Sequence, residues 1–158
     1  MSFSIRPAAE HDLATLGSLG ASLMRVHYAF DPQRFLAPGD RPDQGYAWFL
    51  GTQLREPEVV ILVAEQDGRV LGYIYAGLEP LSWKELRGPA GFIHDVVVEE
   101  SARREGIASA LLDAAAEWLK AQGAPRVVLW TAAQNDGAQR LFAEKGFRRT
   151  MLEMTREL

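Results

Sequence analysis

The segment Arg103-Arg104-Glu105-Gly106-Ile107-Ala108-Ser109 carries residue types that can seat a phosphate. It joins an apolar, β-rich run ending at Val98 to a stretch with helical periodicity, so it reads as a strand-to-helix turn. A helix start presents unpaired backbone N–H groups and a partial positive charge. Gly106 adds no side chain to hold a ligand off, and Ala108 adds almost none. Arg103 and Arg104 supply cationic donors suited to phosphate oxygens. Together these make a candidate diphosphate seat. Small residues and arginines also open helices that bind nothing. The segment matches neither Gly-x-x-x-x-Gly-Lys-[Ser/Thr] nor Gly-x-Gly-x-x-Gly.

The elements that must position this turn follow from periodicity. Phe3 and Ile5 alternate with polar residues until Pro7, a short first strand. Leu13, Leu16, Leu19 and Leu23 predict a helix over about 9–28, weakened in its middle by Gly17 and Gly20. A Pro- and Gly-marked loop covers 31–45, and Tyr46, Phe49, Leu50 and Leu54 predict a second helix. Val59–Glu65 and Arg69–Ala76 flank Asp67-Gly68, a hairpin signal. After a loop over 79–91, Phe92–Val98 is apolar on both faces and reads as a central strand. Ala108, Leu111, Leu112, Ala115, Ala116 and Leu119 form the clearest amphipathic helix, stopped by Gly123. Arg126–Thr131 is another strand, and Ala138, Leu141 and Phe142 mark a helix capped by Asn135 or Asp136. Phe147–Glu157 reads as a closing strand. The pattern predicts a mixed, mostly antiparallel α/β sheet with helices on both faces.

Composition narrows the chemistry. At 158 residues the chain fits one domain spanning 1–158. No cysteine is present, which removes disulfides, thiolate nucleophiles and cysteine-ligated zinc, and no metal is expected. The formal net charge of −4 and the lack of a basic stripe argue against nucleic acid as a partner. The longest apolar run is Val59 to Ala64, far short of the ~20 residues that span a bilayer. The opening MSFSIRPAAEHDL has no apolar signal core, so a soluble, cytoplasmic protein with no membrane partner is expected.

Two spaced signatures then add up. Residues 103–108 read Arg-x-x-Gly-x-Ala, and Asn135, Ala138, Leu141, Gly146 and Phe147 follow at fixed intervals beyond a helix and a strand. This arrangement resembles the GCN5-related N-acetyltransferase (GNAT) superfamily, in motif detail over about 92–147 and in element order throughout. The resemblance implies acetyl-CoA as co-substrate, with its diphosphate on the Arg104, Gly106, Ile107, Ala108 and Ser109 amides beside Arg103. It implies a pantetheine arm laid along Val96, Val97 and Val98 as an added strand, with Asn135 on the pantetheine or simply capping its helix.

The resemblance further implies direct attack of an amine on the thioester. A base or water chain takes the amine proton, a backbone N–H near Val96 or Val97 polarises the carbonyl, and an acid protonates the thiolate. His94 and Asp95 are the candidate bases, with Glu79 a third. Strict alternation puts His94, Val96 and Val98 on one face and Asp95 and Val97 on the other, and a bulge would change that facing. The family often carries a tyrosine acid where this chain has Phe142, which can wall the thioester but donates no proton. Water, Tyr73 or Tyr75 remain as acids. The acceptor side draws on His27, Tyr28, Asp31, Asp43, Tyr46, Trp48, Trp83 and Glu85, and acids beside aromatics suit a cationic amine. The expected acceptor is a small-molecule amine or a protein amino group. A homodimer joined through the last strand is a candidate assembly, and a silent acyl-CoA-binding module of the same fold is the alternative function.

Overall fold

The computed structural model describes residues 2–158. Strand β1 (Ser4–Pro7) leads through a 3-10 turn into α1 (Leu13–Phe30) and α2 (Pro42–Leu54). Strands β2 (Val59–Gln66), β3 (Arg69–Glu79) and β4 (Ala90–Val98) follow, then α3 (Ile107–Ala121), β5 (Val127–Leu129) and α4 (Asp136–Glu144). The five strands lie in the order β1-β2-β3-β4-β5. The first four pair antiparallel, and β5 runs parallel to β4 after the α3 crossover. The β2–β3 hairpin turns at Asp67 and Gly68, both with positive φ, as the Asp-Gly pair predicts.

Side-chain alternation along the sheet builds two cores. Ile74, Ile93 and Val96 join Leu111, Leu112 and Leu119 on the α3 face. Tyr73, Tyr75, Val63 and Val97 join Leu16 and Leu50 on the α1–α2 face. Helices therefore cover both faces, as periodicity predicts.

Two expectations change. α1 runs unbroken through Gly17 and Gly20, and the two glycines let α2 approach it. A Cβ on Gly17 would lie 2.3 Å from the Asp43 carbonyl oxygen, and one on Gly20 would lie 2.2 Å from the Tyr46 ring. The closing strand is absent: residues 147–158 form no regular element, and 148–158 are exposed. β5 is only three residues long and offers no extended edge beside it. Alternation in the tail therefore has no strand to pair with. Ion pairing of Arg34 with Glu153 and a bond from Arg149 to Gln139 hold the tail instead.

Candidate active site

The first half of the site is made of backbone. β5 pairs with β4 only at Gly91, Phe92 and Ile93. Beyond Ile93 the two strands part, leaving the outer edge of β4 open. The Glu99 amide donates to the Leu71 carbonyl at 2.7 Å. Antiparallel alternation then turns the Asp95 and Val97 backbone groups toward β3, and those of Val96 and Val98 into the open wedge. Of the three valines expected to meet a cofactor, Val96 and Val98 present backbone there. Val97 spends its backbone on the Tyr73 register and its side chain on the α1–α2 core.

The wedge runs into the N-terminus of α3. Arg104 (φ 68°) and Gly106 (φ 82°) both adopt left-handed backbone. Gly106 has that conformation as the N-cap, and no side chain bonds the first-turn amides. The Ala110 amide is the first to reach a helical carbonyl, that of Gly106 at 3.0 Å. The amides of Ile107, Ala108 and Ser109 are thus left for an outside acceptor. A Cβ on Gly106 would meet nothing within 4 Å, so the space against this turn is open. Arg103 and Arg104 are exposed, and neither has a carboxylate partner among the described residues. Arg103 Nε donates to the Val98 carbonyl at 3.3 Å, tying the turn to the wedge. This donor set fits a diphosphate: free amides, a helix N-terminus and two unpaired guanidinium groups.

The second half is made of side chains. Register along β3–β4 slips between Tyr75 and Ala76: Tyr75 faces Asp95, Ala76 faces Ile93, and His94 is the extra residue. Strict alternation is overturned at this one position. The Phe92 and His94 rings stack at 5.3 Å, and Asp95 continues on that same α1–α2 side. The bulge thus brings His94 and Asp95 to one cavity of about 560 Å³ between β4, α1, α2 and the loop joining the helices.

Asp95 is buried, and its Oδ2 accepts from Tyr46 at 2.5 Å and Tyr73 at 3.0 Å. Burial raises its carboxyl above the usual range, and the two hydroxyl donors pull back without cancelling that. Burial and the Asp95 charge push both tyrosines up, so they stay protonated donors. Gly20 lets this happen, because the Tyr46 ring lies against its bare Cα. His94 lines the 560 Å³ cavity and also a smaller one of about 210 Å³ on its other side. Glu79 lines the smaller cavity, with Oε1 at 3.3 Å from His94 Nε2. His94, Asp95 and Glu79, read from sequence as competing bases, form one neighbourhood.

Other expectations resolve individually. Asn135 caps α4, its Oδ1 accepting from the Ala138 amide at 3.1 Å. Phe142 is 7% exposed in the α3-side core, edge-on to Phe147, and lines neither cavity. Tyr73 is bonded to Asp95, and Tyr75 donates to Gln53 at 2.8 Å. Burial pushes the Tyr75 hydroxyl up to about 12. Of the acceptor-side residues, His27 and Tyr46 line the large cavity and Glu85 the small one; Trp48 and Trp83 are exposed. Sequence reading missed Leu23, Met24, Phe35, Leu36 and Phe49 on the large cavity wall. No pattern marks them: Leu23, Met24 and Phe49 lie on helices, where apolar positions read as core, and Phe35 and Leu36 lie in the loop between α1 and α2.

Comparison with known proteins bears on this geometry. The sequence model of the acetyltransferase (GNAT) family matches residues 22–147. An uncharacterized N-acetyltransferase of Methanocaldococcus jannaschii is 30% identical over 63% of this chain and 44% of its own length. The uncharacterized N-acetyltransferase YhfO of Bacillus subtilis is 31% identical over 66% of this chain and 68% of its own. Aminoglycoside N(6')-acetyltransferase type 1 of Klebsiella aerogenes is 28% identical over 64% and 66%. Thus the chain spans less than half of the first of these relatives and about two thirds of the other two. A structure described as a predicted acetyltransferase with acetyl-CoA from Clostridium acetobutylicum superposes with TM-score 0.74. It covers 98% of this chain and 96% of its own, at 18% identity. An aminoglycoside N-acetyltransferase in complex with CoA gives TM-score 0.77 at 20% identity, covering 99% and 95%.

Proposed function

The chain belongs to the acetyltransferase (GNAT) family, a family of acyl-CoA-dependent N-acetyltransferases, and from that premise we propose that it acetylates a primary amine by direct attack on acetyl-CoA. Acetyl-CoA is a co-substrate consumed at each turnover. The observation that carries the reading is the β4 bulge, which turns His94 and Asp95 together toward one cavity beside the open β4–β5 wedge. The printed functions of relatives that acetylate nitrogen, such as the aminoglycoside enzyme, support an amine acceptor.

In this reading Ile107, Ala108 and Ser109 hold the diphosphate through their amides, assisted by Arg103 and Arg104. Val96 and Val98 pair with the pantetheine arm through the backbone. Val96 N–H points into the wedge and polarises the thioester carbonyl; Val97 N–H does not. Asn135 keeps its amide nitrogen for the same arm, since its oxygen caps α4. Asp95, held by Tyr46 and Tyr73, draws the ammonium in. His94 accepts the proton that frees the amine lone pair, and Glu79 carries it outward. The lone pair forms the C–N bond, the C–S bond breaks, and the second nitrogen proton passes through water to the departing thiolate. One proton is released overall. No tyrosine acid is required, because a thiolate is a stable leaving group and Phe142 is part of the core.

The test measures two things separately. Acetyl-CoA should raise the melting temperature, since it binds only the folded state. An amine panel should then release thiol, and His94→Gln should cut kcat by about 100-fold or more with acetyl-CoA affinity unchanged. A melting shift without thiol release from any amine would instead indicate the silent acyl-CoA-binding module.

A further inference from the structure

The wall of the 560 Å³ cavity differs from what several acceptors of this chemistry would require. Leu23, Met24, Phe35, Leu36 and Phe49 make most of it apolar. One carboxylate lines it, Asp95. The other ionisable groups that face it, His27 from α1, Arg41 just before α2, Tyr46 from α2 and His94 from β4, carry no negative charge. Nearby acids face elsewhere. Asp31 accepts from the Gln33 and Arg34 amides, Asp43 is exposed outside the lining, and Glu79 and Glu85 belong to the smaller cavity.

Asp95 itself is half committed. Its Oδ2 takes both tyrosine hydroxyls, while its Oδ1 has no hydrogen-bond partner among the described residues. That oxygen is not sealed off from solvent, so it is the Asp95 atom open to a cation in the cavity. Building on the acetyltransferase reading above, we infer that the acceptor is a monoamine with an apolar aryl or branched-alkyl body, its ammonium held by the free oxygen of Asp95. The apolar body packs against α1, α2 and the loop between them, where burial of hydrocarbon supplies binding. The amine nitrogen then lies beside His94, which takes its proton before the C–N bond forms and the C–S bond breaks.

The charge count sets this substrate apart from polycations. A diamine, a polyamine or an aminoglycoside brings two or more ammonium groups, and the cavity answers only the first. A second would be desolvated against leucine and phenylalanine or placed near Arg41. The inferred acceptor therefore differs from the polycationic one that an aminoglycoside acetyltransferase takes.

Steady-state kinetics with saturating acetyl-CoA decide the matter. Phenethylamine and isoamylamine should show KM values about tenfold or more below those of putrescine, spermidine and neamine. Asp95→Asn should raise the phenethylamine KM about tenfold or more and leave the acetyl-CoA dissociation constant unchanged. Leu36 is 76% exposed, so Leu36→Asp keeps the fold and adds a second carboxylate to the wall. That variant should lower the putrescine KM and raise the phenethylamine KM. Equal or better turnover of putrescine, spermidine or neamine by the unaltered protein overturns the inference, as does an unmoved diamine KM in Leu36→Asp. Acetyl-CoA binding with no turnover of any of these amines also overturns it, while the acyl-CoA seat stands. Failure to bind acetyl-CoA removes the acetyltransferase reading itself.

Discussion

The two halves of the site are built from different material. The half around β4, the turn at Arg103–Gly106 and α3 presents mainly peptide N–H groups, with small residues at Gly106 and Ala108 leaving them uncovered and two exposed arginines beside them. The half between α1, α2 and the loop joining them works through side chains: two tyrosines on a buried carboxylate, and apolar residues on a cavity wall. A backbone-built site constrains residue type at fixed spacing, because only glycine adopts left-handed φ cheaply and only small residues leave amides uncovered. A side-chain-built site constrains only where the residues arrive in space. In the proposed reading the first half serves the co-substrate and the second sets acceptor choice.

The largest expected effect breaks the first half alone. Gly106→Glu forces left-handed backbone on a side chain and sets a negative charge against the helix N-terminus. We expect acetyl-CoA affinity to fall by about 100-fold or more, read by calorimetry. Gly106→Ala is the companion: its Cβ meets no protein atom, so it carries the backbone strain without the charge. A loss as large in Ala as in Glu would mean that conformation, not anion binding, sets the residue.

That asymmetry also explains what the sequence discloses. The Arg-x-x-Gly-x-Ala run and the capping Asn135 are local signals, and the structure places them where strand meets helix and where α4 starts. The β2–β3 hairpin is legible for the same reason, through Asp67-Gly68. The bulge at His94 is not, since one extra residue in a strand leaves no composition mark and reverses the facing of what it displaces. Nor are Gly17 and Gly20, whose meaning depends on a second helix lying within 3 Å of where their Cβ atoms would be. The tail fails oppositely: Phe147–Glu157 has strand-like composition, but no neighbouring strand reaches it.

Gly20 offers the next effect, confined to the second half. Gly20→Val drives a branched side chain into the Tyr46 ring, and the interhelix contact must open. Overpacking of this kind costs about 1–3 kcal/mol. It also pulls Tyr46 off Asp95, so the amine KM should rise while acetyl-CoA affinity holds. Thermal melts and the two affinities measured together check it. A variant that lost both affinities equally would show that the halves are not separable.

The anchoring of α1 gives a pH signature. Arg6 pairs with Asp12 at 2.8 Å and 3.0 Å and with Glu65 at 3.1 Å, and the Ala9 amide donates to Asp12 at 2.8 Å. Arg6, the largest influence, holds the Asp12 carboxyl below its usual value. The unfolded chain therefore binds that proton more readily. The stabilisation is whole above about pH 4 and drains as pH falls through the folded value. Asp12→Asn should cost about 2 kcal/mol at pH 7. The gap between the two proteins should close in acid.

Asp95→Asn carries the smallest change in stability and the most informative sign. Asp95 is shifted the opposite way from Asp12, upward, because burial outweighs its two hydroxyl donors. A carboxyl raised in the folded state binds its proton more tightly there than in the unfolded chain. It subtracts stability as pH rises from about 4, its ordinary value, through the folded value. Asparagine keeps the shape and an oxygen for Tyr46 and Tyr73 but has no charge to bury. At pH 7 the variant should melt at or above the unaltered protein, by up to about 4 °C, and the difference should shrink below pH 4. The same variant should lose amine binding. A residue that lowers stability and is needed for a ligand is one whose charge awaits a partner, and the amide-built half holds no such buried charge. Melting well below the unaltered protein at pH 7 would make Asp95 a structural carboxylate, and the division between the halves would have to be drawn elsewhere.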